Sequence, residues 1–285
     1  MLILCSKVAQ KSYGNEKRFL CPPPILIMDK RKSNLNLAAK VTVVNGNTPT
    51  GVDQTGHFDE TGKTCFKYLY VTSSNRTKSF SLNISLFSHN PSEPSIAVLK
   101  TSPISIISKP SKKTQKSKTE GVCIYSGSMV SFFNRVNSQT VRTKYMGTEN
   151  HKFCAKNSSW TAFTINVIKD GVPISDLSTP IEYGQEIVLT DIKSGFSSGI
   201  LIIKKVTKNS IEESVGPVTH LQKVALHSKN KINSYLSLPP SSTIGSSNPF
   251  LLFQEASEDG ILDDHMTWGI VGIEKAQVTL KNVPS

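Results

Sequence analysis

The triplet Pro22-Pro23-Pro24 sets the first limit on what this chain can fold into. Successive prolines fix φ and remove backbone donors, so neither a helix nor the middle of a sheet can run through them. The stretch that ends there begins as a polar, basic loop, Lys11-Ser12-Tyr13-Gly14-Asn15-Glu16. Gly14 and Asn15 are the residue types that most readily take a positive φ in a tight turn. Lys17 and Arg18 follow, then the apolar pair Phe19-Leu20. The stretch reads as a short loop closed at both ends, its arginine beside side chains that can be buried. Such an arginine suits bidentate contact with a guanine edge. The plainer alternative for the same residues is a solvated basic turn at a domain edge.

Beyond the prolines the pattern is that of strands. Ile25-Leu26-Ile27-Met28 and Val41-Thr42-Val43-Val44 are short apolar runs, the second stopped by Asn45-Gly46-Asn47. Residues 48–64 are polar and rich in Gly and Asp, which reads as a long surface loop. Lys67-Tyr68-Leu69-Tyr70-Val71 resumes strand character. Phe80, Leu82, Ile84 and Leu86 then alternate with Ser81, Asn83 and Ser85, as in a half-buried strand. With Ile96–Leu99 and Ile104–Ile107 these runs have the spacing of an immunoglobulin-like sandwich over residues 1–107. Residues 108–120 are basic and broken by Pro110, a linker whose Lys109, Lys112 and Lys113 are either solvated or set against phosphates. From Gly121 to Ser285 a second all-β region is expected. There Ser126–Phe132 resembles Tyr183–Leu189, and Val224–Ser228 echoes their ends. The interval from Ile187 to Val224 fits one β-trefoil unit, and the longer first interval needs an insertion.

Charge separates the chain. The formal net charge is +12, yet residues 1–120 carry 18 Lys and Arg against 7 Asp and Glu. Residues 121–169 carry 6 against 1, and residues 170–285 carry 9 against 13. A polyanion is expected along the first part and a different partner on the remainder. Five cysteines without a C-x-x-C pair indicate neither a disulfide framework nor a zinc knuckle, which fits a reducing compartment. Met1-Leu2-Ile3-Leu4 is too short for a signal peptide, and no run approaches the ~20 residues that span a bilayer. Gly195-Phe196-Ser197-Ser198-Gly199 satisfies G-x-S-x-G, with Asp263, Asp264 and His265 behind it in hydrolase order. A nucleophile elbow needs a helix after the serine, whereas Ile200–Lys204 is a β run, so a hairpin turn and no catalysis are expected. The six histidines lack ligand spacing, so no metal and no cofactor are expected.

Lys7-Val8-Ala9-Gln10 and the stretch through Pro24 together resemble the CSL family, the DNA-binding factors at the end of Notch signalling (Suppressor of Hairless and its relatives). Ile106–Lys113 resembles the family's link between its first two domains. Phe132-Phe133-Asn134-Arg135 through Ser138-Gln139-Thr140-Val141, then Trp160, Leu201–Val206 and Trp268, carry the likeness almost to the C-terminus. The resemblance implies an all-β fold, a Rel-homology-like immunoglobulin-type β-sandwich followed by a β-trefoil. It implies a nuclear regulator of RNA polymerase II transcription that binds double-stranded DNA at a GTGGGAA-like element and serves as a platform for coactivators and corepressors. Arg18 would read a guanine in the major groove, with Lys11, Tyr13, Glu16 and Lys17 in support. Arg135, Ser138 and Gln139 would face the minor groove, and Lys109, Lys112 and Lys113 would meet phosphates. Lys144 stands where the family usually has arginine. Ile174, Asp176, Ser197 and Gln254 would line a groove for a tryptophan-containing peptide of a Notch-type intracellular region or a corepressor. Asp176 falls where an apolar side chain is expected, and a carboxylate there would be costly to desolvate. The family has a basic helical segment before the first strand and a third, Rel-like domain after the trefoil. This chain starts inside that strand and stops at Ser285, so the third domain is expected to be absent from it. The rival reading is a β-trefoil module that binds peptide or polyanion without specific DNA recognition.

Overall fold

The computed structural model describes residues 1–28, 37–72, 77–88, 94–108, 122–135, 143–157, 159–239, 248–257 and 259–279. They form two compact units, Met1–Lys109 with Ile273–Ser285, and Pro110–Gly272. Among the described residues the regular structure is β throughout, apart from one 3-10 turn at Asp264–Met266.

In the first unit the strands are β1 (Leu2–Ser6), β2 (Val8–Gln10), β3 (Ile25–Ile27), β4 (Ala38–Asn45), β5 (Thr48–His57), β6 (Lys63–Cys65), β7 (Ser79–Phe87), β8 (Ala97–Lys100) and β9 (Ile104–Ile107). They make two sheets. In one, β3 lies between β1 and β6; in the other the order is β2-β9-β7-β4-β5, with β8 also on β7. The chain changes sheet at Lys7, and β2 then runs parallel to β9. Ile3, Leu26, Val41, Phe66, Leu82 and Ile84 share one buried core. Each such side chain contributes about 1.5–3 kcal/mol by leaving water.

The alternation of β7 is realised, with Phe80, Leu82, Ile84 and Leu86 all buried. Residues 48–64 are not the long loop expected. They hold β5 and β6, and β5 pairs along β4. This strand lies at a sheet edge with only Val52 buried, so its own residues carry no apolar alternation. The expected strand at 67–71 is likewise a turn at Lys67-Tyr68 followed by a single bridge from Tyr70 to Phe19. Leu69 and Val71 are its buried members.

The second unit contains β10 (Met129–Asn134), β11 (Lys144–Glu149), β12 (Lys152–Lys156), β13 (Phe163–Lys169), β14 (Val172–Ile174), β15 (Glu186–Asp191), β16 (Leu201–Thr207), β17 (Ser210–Glu212), β18 (Lys223–Ser228), β19 (Ser234–Ser237) and β20 (Leu252–Glu255). The last strand, β21 (Trp268–Gln277), belongs to both units. Its start pairs with β10, while Ile273–Gln277 pair with β1 and Ala276 packs on the first unit's core. Sequence had placed these final residues with the second region.

Three-fold order is written in the second unit's hydrogen bonds. The Ile124 amide donates to the Val218 carbonyl (2.8 Å), Val218 to Ile181 (2.7 Å), and Ile181 back to Ile124 (2.9 Å). A second triplet sets the amides of Gly127, Gly184 and Leu221 on the carbonyls of Ile165, Ile203 and Ile270 at 2.7–2.8 Å. All three donors have positive φ, 84°, 87° and 63°, which glycine takes freely and Leu221 takes at a cost. The repeat seen from Ile187 to Val224 is thus a structural one, and the extra length of the first interval holds the β11–β12 hairpin. Trp268 is wholly buried at the core, its indole N–H on the Leu236 carbonyl at 2.8 Å.

Candidate nucleic-acid interface

The loop singled out in sequence is strapped to the first unit at both ends. The amides of Lys11 and Ser12 donate to the carbonyls of Ile107 (2.9 Å) and Val71 (3.1 Å), and the Leu20 amide to Leu69 (2.8 Å). Between the straps, the Glu16 amide closes a turn on the Tyr13 carbonyl at 3.0 Å, over Gly14 at φ 55°. Ser12 is buried, and its Oγ accepts the Arg18 amide at 2.9 Å across the mouth of the loop. A buried hydroxyl that fixes one backbone donor sets where the Arg18 side chain starts.

That side chain is held twice more. Its Nη2 donates to the Glu16 carboxylate at 2.9 Å, and its guanidinium carbon lies 5.5 Å from the centre of the Tyr13 ring. The Arg18 hydrogen bond holds the Glu16 carboxyl below the usual carboxylate range. Lys11 Nζ sits 5.6 Å from the same Tyr13 ring, and Lys17 Nζ sits 5.4 Å from the Tyr70 ring. Phe19 meets Tyr68 and Tyr70 edge-on, at 5.8 and 6.2 Å between centroids. The structure therefore brings Lys11, Tyr13, Glu16, Lys17 and Arg18 together as one cluster. Cations resting on aromatic faces keep their charge outward at little entropic cost. The arrangement can offer one oriented fork and two point charges to an anionic, base-bearing surface.

Sequence reasoning missed Ser12, Tyr68 and Tyr70. A buried serine inside a polar run has no signature. The two tyrosines did carry one, two aromatics a residue apart on one side, but it was read as an ordinary strand.

In the second unit Arg135 directly follows β10. Its Nε donates to Thr143 Oγ1 at 3.2 Å and its guanidinium lies 5.5 Å from the Phe133 ring centre. Phe133 itself covers Gly269, where an added Cβ would come within 2.4 Å of the ring. Next to it, the Asn134 side-chain Nδ2 donates to the carbonyls of Asp264 (2.6 Å) and Thr267 (2.8 Å), which fixes the strand end. Lys144 opens the neighbouring strand opposite Asn134. Ser138 and Gln139, like Lys109, Lys112 and Lys113, lie outside the described residues.

The four groove candidates separate. Ile174 and Asp176 border a cavity of about 480 Å³ with Ser126, Val167, Thr179 and Glu186. Ser197 and Gln254 are not among its lining residues. Ser197 Oγ lies 3.0 Å from Thr190 Oγ1, and Gln254 pairs with Ser237. Asp176 is a half-exposed turn-former at the edge of this cavity. Its carboxylate takes the hydroxyls of Thr179 and Ser178 and the Ser178 amide, which hold it below the usual range. The G-x-S-x-G segment follows the turn at 192–194 and bridges back from Ser197 to Thr190, with the Ser198 amide returning to the Leu189 carbonyl at 2.8 Å. Asp264 instead bonds Asn209 and Lys223 at 3.2 and 3.4 Å. Among the described residues no cluster of metal-ligating groups occurs.

A carboxylate network supports the β11–β12 hairpin that follows Thr143. Asp191, buried at 3% exposure, accepts Lys193 N (2.9 Å), Thr161 Oγ1 and Ser194 Oγ (both 2.8 Å), and Thr148 Oγ1. Burial pushes its carboxyl up, but these bonds outweigh that and hold it below the usual range. Its stabilising effect is therefore present above the unfolded pKa and is lost as pH falls through the lowered one.

Two family models match the chain: "LAG1, DNA binding" over residues 1–32 and 28–121, and "Beta-trefoil DNA-binding domain" over residues 149–268. Transcription factor cbf11 of Schizosaccharomyces pombe is 35% identical over 264 residues, covering 85% of this chain and 42% of that protein. The recombining binding protein suppressor of hairless-like proteins of Mus musculus and Homo sapiens are 32% and 33% identical over 313 and 306 residues. These two alignments cover 97% and 96% of this chain, and 58% of each relative. The chain thus spans about half the length of the curated relatives it matches. With a β-sandwich that carries the arginine loop, a β-trefoil after it in the sequence, and both matched by DNA-binding models, the chain belongs to the CSL family of DNA-binding transcription factors.

Proposed function

We propose that this chain reads a GTGGGAA-like element in double-stranded DNA and acts in the nucleus as a regulator of RNA polymerase II transcription, without catalysis. The observation that carries the reading is Arg18, oriented by Ser12, Glu16 and Tyr13 on a loop ringed by Lys11 and Lys17. A pre-oriented fork loses little freedom on meeting the two acceptors of a guanine edge. Arg135 adds a second, shape-sensing contact from the trefoil, because an arginine is well suited to a narrow, negative minor groove. Lys109, Lys112 and Lys113 supply affinity through phosphates, without sequence information. The acidic balance of residues 170–285 leaves the rest of the trefoil for protein partners, Notch-type or corepressor peptides among them.

The test is binding of the whole chain to a duplex with that element and to a scrambled duplex, at physiological salt. Arg18→Ala should cost about 1–3 kcal/mol on the specific duplex and relax preference at one base pair. Equal losses on both duplexes would reduce Arg18 to a phosphate contact. A wild-type chain with no preference would favour the peptide- or polyanion-binding module instead.

A further inference from the structure

Tyr68 stands out because it is a large aromatic left 64% exposed beside the arginine loop. It is also held. Its ring meets Phe19 edge-on at 5.8 Å, and its amide donates to Gln54 Oε1 at 3.0 Å. Phe19 and Tyr70 are bridge partners, so Lys17 and Tyr68, each two residues from a partner, lie on the same side of the pair. The contacts agree, with Lys17 on Tyr70 and Tyr68 on Phe19. Lys67, exposed, adjoins Tyr68 in the turn. The result is a strip, Lys17-Tyr70-Phe19-Tyr68, with a cation at one end and rings along it, and Lys67 next to its far end in sequence. Among the described residues no group takes the Tyr68 hydroxyl.

We infer that the DNA-contacting surface of the first unit continues past the loop onto the Lys67-Tyr68 turn, where the Tyr68 hydroxyl donates to one phosphate and Lys67 neutralises another. The inference rests on the loop being a DNA contact. Its chemistry is different, however: a phenol is a neutral donor that positions the duplex without reading it. A neutral donor releases no condensed counterion, whereas a lysine does. The two residues therefore have separable signatures.

Binding of the chain 1–285 to the GTGGGAA-type duplex and to the scrambled one, across a salt series, separates them. Tyr68→Phe keeps the ring on Phe19, so folding is not at issue. It should weaken both duplexes by about threefold to tenfold and leave the log–log salt slope unchanged. Lys67→Ala should lower that slope by about 0.9 on both. If neither variant moves affinity while Arg18→Ala abolishes the preference, the strip is a solvated face and the inference is wrong. A Tyr68→Phe loss confined to the specific duplex would also overturn it, since the hydroxyl would then meet a base. If Arg18→Ala weakens both duplexes equally while both strip variants show their losses, the base reading fails and the phosphate strip stands.

Discussion

Two arginines carry the DNA-facing reading, and the protein holds them in different ways. Arg18 sits on a loop tied by backbone bonds at both ends, with its amide on a buried hydroxyl and its fork on a carboxylate. Arg135 follows a strand end, with one hydroxyl and one ring beside it among the described residues. The first geometry fixes direction, which reading one base edge requires. The second holds the guanidinium by one Nε bond and one ring, with no carboxylate on its terminal nitrogens among the described residues, which suits a groove recognised by width. Their supports differ accordingly. Those of Arg18 are polar and local, whereas Arg135 leans on the second unit's packing through Phe133 and Gly269.

The comparison breaks most sharply at Phe133. Phe133→Ala removes a buried ring and should cost the second unit about 3–5 kcal/mol, read by denaturant unfolding. Arg135 should then lose its contribution to binding, while Arg18-dependent base preference in the surviving folded protein persists. Loss of that preference as well would mean that the two arginines are not separately supported.

Ser12→Ala tests the other side with a smaller change. It leaves the Arg18 amide without its acceptor near the protein interior, a loss of about 1–3 kcal/mol. Preference between duplexes should fall more than affinity for scrambled DNA, because only direction is lost. An unchanged preference would show that Glu16 and Tyr13 alone suffice.

The smallest effect is expected at Glu16. Glu16→Gln keeps an acceptor for Arg18 but weakens its hold by removing the negative charge, so affinity for any duplex should rise while preference falls a few-fold. The wild-type chain should approach this behaviour only as pH falls through the lowered Glu16 pKa, since above it the carboxylate stays charged. A titration that shows no convergence with the variant would separate Glu16 from the orientation of Arg18.

What sequence revealed follows from where each signal is stored. The β7 alternation and the trefoil repeat were legible because burial writes itself into side-chain choice. β5 was not, because an edge strand can be built from backbone pairing with one buried residue. The Arg18 loop was legible from its turn residues and its resemblance to the CSL family. Its fixings were not: Ser12 acts through burial, and Tyr70 through a bridge to a residue far earlier in the chain. Asp176 looked like a misplaced groove residue because its real partners, Ser178 and Thr179, are an ordinary polar turn by sequence.

The last strand has a consequence for the order in which the protein can be made. Leu2–Ser6 find their outer partner in Ile273–Gln277, so the first unit cannot complete this sheet until the second has been synthesised. Until then β1 presents a row of unpaired backbone groups flanked by Ile3, Leu4 and Cys5, all buried in the finished fold. Such an edge invites pairing with another chain while translation continues. Chains cut after residue 120 would keep that open edge permanently. They should aggregate more readily than the whole chain, and their DNA binding would report the missing strand as much as the missing domain.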